Sequence, residues 1–312
     1  MIRLAGIGVA RLFRGGRLIQ EVFSPNLVTD EGYNYAIDVW AGGATPQSSW
    51  YLVPLNVDHT PAASDTYANS MGTGYESTDY DETVRQAWIP GTVSGQSVDN
   101  SASKATYTMA GNDTSIFAIA LVSNATKDDT DATGAILYSI CSLSLAITGI
   151  SDGDVLELQY TPSVSSAITD GFCIHNEALD NFLTAALCGG TQYETLYLAP
   201  LKSDYTQAMT DGYVDVMGTG SAESNDYSEA DRPTWQCGAI SAKTLTNSGN
   251  RATVTMAGND ASIYGHALVS SPTKGDATSG PLLFATCKYG AAKAITVPDL
   301  ILKLTLAIGA GA

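Results

Sequence analysis

Apolar and polar residues alternate along most of this chain, and the alternation breaks into short runs separated by glycine, asparagine and serine. Ile2 to Phe13 is strand-like in parts, Arg14-Gly15-Gly16-Arg17 supplies a turn, and Leu18 to Phe23 returns, so residues 2–23 are predicted to form a β-hairpin. A different period follows. Tyr33, Ala36, Ile37 and Trp40 recur at helical spacing behind Thr29 and Asp30, which are good helix caps, and Gly42-Gly43 stops the run. Further strands are expected over Trp50–Val57, Tyr80–Ile89, Ala105–Thr108, Ser115–Ser123, Ala135–Ile147 and Val155–Tyr160. Pro54 inside the first of these points to an edge or a bulge.

The same succession then recurs. Met109-Ala110-Gly111-Asn112-Asp113 returns as Met256-Ala257-Gly258-Asn259-Asp260, Tyr51-Leu52-Val53-Pro54-Leu55 as Tyr197-Leu198-Ala199-Pro200-Leu201, and Met71-Gly72-Thr73-Gly74 as Met217-Gly218-Thr219-Gly220. Glu31 matches Glu177, Gly43 matches Gly189 and Thr45 matches Thr191. The second helix is predicted over Glu177–Leu187, with Leu179, Phe182, Leu183 and Ala186 on its apolar face. Strands are expected again at Leu196–Leu201, Tyr227–Cys237, Ala252–Thr255, Ser262–Ser270, Leu282–Lys288 and Leu300–Ala307. A repeat this long is a duplicated domain, not a solenoid. The expected fold is mainly β: two tandem antiparallel β-sandwich-like domains, 26–165 and 166–312, each with one short helix, behind an N-terminal hairpin arm, 1–25. Ser163 to Gly171 is the expected join.

The hairpin has no counterpart ahead of the second unit. Two readings stand side by side: a docking arm that completes an edge elsewhere, or the first two strands of the first domain. Its charge sets it apart, with Arg3, Arg11, Arg14 and Arg17 against the single acid Glu21, in a chain whose net charge is −17. An acidic surface with no basic footprint elsewhere argues against nucleic acid. No apolar run approaches a membrane span, and the early arginines interrupt the place where a signal peptide would need its apolar region. Five scattered cysteines with no paired spacing suggest buried thiols, and folding in a reducing compartment.

Candidate chemistry is sparse. His59, His175 and His266 carry no partner at a repeated spacing, and no nucleophile, zinc, nucleotide or hydrolase motif is present, so neither catalysis nor a cofactor is expected. Asp128 to Gly134 has oxygen ligands at alternate positions but lacks a closing glutamate, and its counterpart Lys274–Gly280 has lost most of the acids; a solvated loop is the expectation. Arg85 and Arg232, each three residues after a Glu and three before a Trp, form the most repeated charged pattern. An interface anchor is one reading, and a core Trp with an Arg–Glu pair at its rim is the preferred one. The tyrosines permit glycan stacking, but no cluster of them repeats.

Taken as a set, Asn26-Leu27-Val28-Thr29-Asp30-Glu31-Gly32, the helix and Gly-Gly stop, Trp50-Tyr51-Leu52, the Tyr-x-Glu-x-x-Arg-x-x-Trp segments, Ala-Thr-Tyr-Thr and Leu121-Val122-Ser123 with Lys127 resemble a family of tailed-bacteriophage virion proteins. The second unit departs at Cys173-Ile174-His175-Asn176-Glu177. The resemblance implies a non-enzymatic structural protein of the virion, assembled in the host cytoplasm. Its partners would be the major capsid protein, or neck and tail proteins, and further copies of itself. Host glycan is the less favoured partner. Docking would then use Arg3, Arg11, Arg14, Arg17, Asn26 and Thr29.

Overall fold

The computed structural model describes residues 2–71, 75–130, 133–169, 171–190, 192–193, 195–218, 222–295, 301–304 and 307–309. Gly72-Thr73-Gly74, Thr219-Gly220, Asp131, Thr191 and Leu300 of the sequence reading lie outside them.

The chain is mainly β. β1 (Arg3–Arg14) and β2 (Arg17–Pro25) form the expected hairpin. Gly15 and Gly16 turn it with φ of 54° and 78°, the left-handed pair that lets a two-residue loop follow the strand twist. β3 (Leu27–Val28) leads into α1 (Asp30–Ile37), which runs on through a π-helical turn, Asp38–Gly42. β4 (Trp50–Leu55), α2 (Tyr67–Met71), β5 (Gln86–Trp88), β6 (Ala105–Thr108), β7 (Ser115–Val122), β8 (Leu137–Thr148) and β9 (Val155–Ser165) complete the first unit.

The second unit runs through β10 (Phe172–Ile174), α3 (Asn176–Leu187), β11 (Leu196–Leu201), a π-helical turn at Val214–Gly218, β12 (Thr234–Trp235), β13 (Thr244–Thr246), β14 (Ala252–Thr255), β15 (Ser262–Val269), β16 (Leu283–Ala294), β17 (Ile301–Leu304) and β18 (Ala307–Gly309). The expectation of one helix per unit needs correction. α2 and the Val214–Gly218 turn begin inside or follow directly on the segments read as Thr/Ala/Ser/Asp-rich loops. They fold because Tyr67 and Met71 in one unit, and Val216 and Met217 in the other, bury against the back of the neighbouring sheet. Segments this short show no readable helical period.

Each unit has the same five-stranded antiparallel sheet, β3-β8-β7-β4-β5 in the first and β10-β16-β15-β11-β12 in the second. Pro54 and Pro200 are tolerated because the short partners β5 and β12 end before reaching them; their carbonyls accept from Ser77 N at 2.9 Å and Ser224 N at 2.8 Å. The opposing sheet is where the units part company. In the first unit it has four strands, β2-β1-β9-β6, and β9 runs unbroken with Leu156, Leu158 and Tyr160 turned to the core. In the second, the described residues form two separate pairs, β14-β17 and β13-β18. Trp88 Nε1 ties the two sheets of the first unit together by donating to Tyr160 O at 3.1 Å, and Ser139 Oγ donates to Tyr160 Oη at 2.8 Å.

The units share a core. Trp40 packs on Phe182 and Phe284 with ring centroids 5.4 and 5.3 Å away, and Tyr35 Oη donates to Ala186 O at 3.1 Å. Asp180 accepts from Gln96 N at 2.7 Å, while Lys243 pairs with Asp30 at 2.5 Å. The equivalent helices α1 and α3 therefore meet face to face, with no freely jointed linker between the units.

Candidate functional site

Two constellations repeat with nearly identical geometry, and both hold the scaffold. Arg85 is fully buried, and its guanidinium makes five hydrogen bonds: to Glu76 at 3.0 and 2.6 Å, to Tyr67 Oη at 2.6 Å, and to the carbonyls of Asn124 and Asp129 at 3.1 Å each. Arg232 repeats this with Glu223 at 2.8 and 2.7 Å, Tyr213 Oη at 2.7 Å, Ser271 O at 3.0 Å and Asp276 O at 3.3 Å. Burial opposes the charge on each arginine, but the bidentate carboxylate and the tyrosine outweigh it and hold the guanidinium above its ordinary range.

This corrects the sequence reading on two points. The arginine is central and buried, not at a rim. Its partner is Glu76 or Glu223, not the glutamate three residues before it. That nearer glutamate, Glu82 or Glu229, instead accepts from the backbone of Thr108 or Thr255. Above the cluster, Lys127 and Lys274 stand 3.9 and 4.4 Å from the ring centres of Tyr80 and Tyr227.

The Met-Ala-Gly-Asn-Asp turn is the second constellation. Asp79 accepts from Asn112 Nδ2 at 2.6 Å and from Asp113 N at 2.5 Å, and Asp226 does the same for Asn259 and Asp260. Gly111 sits at φ 82° against the backbone of Asp152, so a side chain there would collide. The Asp128–Gly134 loop is bound into the arginine cluster: Asp128 N donates to Glu76 at 3.1 Å and Asp129 accepts from Asn124 at 2.9 Å.

The histidines serve different ends. His59 bonds to Asp65 at 2.7 Å. His266 lies 3.1 Å from Tyr289 Oη. His175 occupies the N-cap position of α3 but its buried ring bonds away from the helix, with Nδ1 3.0 Å from Ala208 O and Nε2 3.0 Å from Thr286 Oγ1, and burial pushes its pKa down to about 4. Cys173 Sγ is 3.9 Å from His175 Nδ1, but burial drives the thiol up to about 11, so the pair is held as neutral thiol and neutral imidazole.

The hairpin carries the residues singled out for docking, and the structure divides them. Thr29 is fully buried: its Oγ1 donates to Leu137 O at 2.5 Å and accepts from Gly32 N at 3.0 Å, so it is a helix cap and not a contact. Asn26 is likewise engaged internally, with Nδ2 donating to Tyr160 Oη and its backbone N to Gly6 O at 3.0 Å. Arg14 clamps Asp154 with bonds of 2.8 and 2.7 Å, and holds that carboxylate below its usual range. Arg11 pairs with Glu21 at 2.6 Å and with Gln159 at 3.2 Å. Arg3 and Arg17 remain exposed at the two ends.

Both long edges of the hairpin are occupied. β1 pairs with β9 from Arg3↔Ser165 to Phe13↔Val155. β2 is stitched to the outer edge of β8, where Cys141 Sγ donates to Ser24 O at 3.0 Å, Ser144 N to Ser24 Oγ at 2.6 Å, Thr148 N to Gln20 Oε1 at 3.1 Å and Gln20 Nε2 to Ala146 O at 2.8 Å. The hairpin thus closes one side of the first sandwich. What it leaves open is its outer face, where Ile7, Ile19 and Phe23 are 52 %, 49 % and 66 % exposed. The chain matches no protein-family model, and comparison with curated proteins and with solved structures returns no match.

Proposed function

We propose that this chain is a non-enzymatic structural protein of a tailed-bacteriophage particle, associated with the capsid and docked through the outer face of its hairpin. The sequence resemblance supports the particle. The observation that carries the docking face is the exposed apolar surface of Ile7, Ile19 and Phe23 with Arg3 and Arg17 at the hairpin's two ends. Scattered apolar residues are ordinary on a protein surface, whereas three large ones on one hairpin mark a contact. Because the hairpin is already fixed between β9 and β8, docking would order little chain. The basic ends suit an acidic capsid surface, and steering of this −17 protein would orient the hairpin first.

The test is the position and copy number of the chain in intact particles, imaged at side-chain resolution. Many copies over the shell with Phe23 and Ile7 at the contact are expected. A ring at one vertex would move the protein to the neck or tail, and absence from the particle would overturn the reading and reopen glycan binding.

A further inference from the structure

The hairpin closes one side of the first sandwich, and among the described residues no strand pair stands at the equivalent place in the second. β17 pairs with β14 along one edge, and among the described residues no strand pairs with the other. That other edge corresponds to the one β1 occupies on β9. In β16, Lys288 N still donates to Gly171 O at 2.6 Å beside β10, but beyond it, over Tyr289–Ala294, β15 pairs on one side and among the described residues no strand pairs with the other; Gly290 to Ala294 are exposed. Their counterparts on β8 are the residues to which β2 is stitched. Two strand edges whose counterparts the hairpin covers in the first unit thus have no partner strand among the described residues of the second.

The chemistry along these edges has changed as well. Gly8 of β1 packs directly on Cys141 and Ile119, so close that a Cβ would lie 2.6 Å from the sulfur. The matching positions hold Cys287 and His266, and Tyr289 replaces Leu143. At the positions of Ser142, the buried Ile147 and Glu157 stand Lys288, which is paired with Asp204 at 2.5 Å, and the exposed Lys293 and Lys303. Glu157 stands between Lys104, 3.8 Å away, and Arg11, its register partner on β1. Lys303 pairs in register with Thr253, and the counterpart of Lys104 is another cation, Arg251.

We infer that the second unit is an acceptor for an extended acidic segment of a partner protein, which adds as a strand antiparallel to β17, with small residues turned inward and carboxylates opposite Lys303 and Lys293. Main-chain pairing would supply the affinity and the lysines the selectivity. A second copy of this chain is the wrong occupant. Its hairpin is already built into its own first unit, and the strand would set Arg11 against Lys303. This inference stands whether or not the protein belongs to a phage particle.

The experiment uses the intact chain and two peptides, one with the sequence of residues 2–14 and one in which Arg3, Arg11 and Arg14 are replaced by Glu. Amide hydrogen exchange is followed in 288–294 and 301–304. The acidic peptide should slow exchange there and bind about tenfold more tightly than the basic one, as expected when a few exposed charge pairs change from repulsive to attractive. Raised salt should shrink the preference. In the Lys293→Glu/Lys303→Glu variant, whose changes are at exposed side chains, the preference should reverse. No protection by either peptide, equal binding of both, or protection that grows with protein concentration alone would each overturn the inference, the last by making a second copy the occupant.

Discussion

The first and second units are the same sheet, helix and buried arginine built twice, yet only the first has its hairpin. Where β9 is locked between β1 and β6, β17 pairs with β14 alone among the described residues. Where Cys141 is buried under Ser24, Cys287 is only partly buried. The arginine clusters and the Met-Ala-Gly-Asn-Asp turns were retained with hydrogen-bond distances agreeing within a few tenths of an ångström, whereas several positions that touch the hairpin, such as Ile119, Leu143 and Glu157, changed to His266, Tyr289 and Lys303. A duplicated domain keeps the interactions it carries with it and is released from those it leaves behind.

The strongest way to break this comparison is to remove the hairpin. Deleting residues 1–25 uncovers Leu4, Leu12 and Val22, each contributing about 1.5–3 kcal/mol by burial. The sum rivals the stability of a typical domain. Amide exchange in β9 and β8 should then rise to the level of β17 and β16 or beyond, while the second unit's sheet keeps its protection. Unchanged exchange in β9 would mean that the hairpin is dispensable and that the two units differ for another reason.

The buried arginines sharpen the comparison from the other side, since they predate the divergence. Glu76→Ala and Glu223→Ala each leave a buried guanidinium without its carboxylate and should cost about 3–5 kcal/mol in urea unfolding. The two losses should agree. A much smaller cost in the second unit would show that its core is already loosened.

Acid separates the units at their helix caps. His175 occupies the place of Thr29, and its pKa in the fold is about 4, below the ordinary 6.5, because burial excludes the charged form. The stability this confers is complete above about pH 6.5 and is lost as the pH falls toward 4, by about 2–3 kcal/mol. Glu31 and Glu177 are both raised by burial and favour the fold at low pH, but they do so in both units and cancel in the difference. Acid unfolding followed by amide exchange should begin in the second unit, and His175→Thr should abolish the lead. The smallest effect on the fold belongs to the outer face: Ile7→Ser and Phe23→Ser should change stability by only about 0.5 kcal/mol while weakening particle association, measured by co-sedimentation.

The duplication, the hairpin, the helices α1 and α3 and most of the strands were legible in the sequence, but the short strands β3, β10 and β13 were not. Each legible feature rests on a local period or on identical letters such as Met-Ala-Gly-Asn-Asp. The partner of Arg85 was not. Glu82 is nearer in the chain and has the more regular spacing, but in the irregular segment ahead of β5 it turns to the backbone of Thr108, and Glu76 comes back from nine residues away. Asn26 and Thr29 looked like contacts because they are polar, and burial turned them into a sheet tie and a cap. Of the docking arginines, two are spent on Asp154, Glu21 and Gln159 inside the unit.

By itself, the sequence determined that this protein is a mainly β chain made of two copies of one unit, with an unmatched basic hairpin at its start. Those properties follow from side-chain periodicity and turn chemistry, which act over a few residues. Only the tertiary structure decided where the hairpin goes, that it closes the first sandwich, and that the equivalent strand edges of the second unit have no partner strand among the described residues. Strand neighbours are chosen by hydrogen-bonding edges and buried surface between segments more than a hundred residues apart, as in Arg3 against Ser165, and no local pattern encodes that choice.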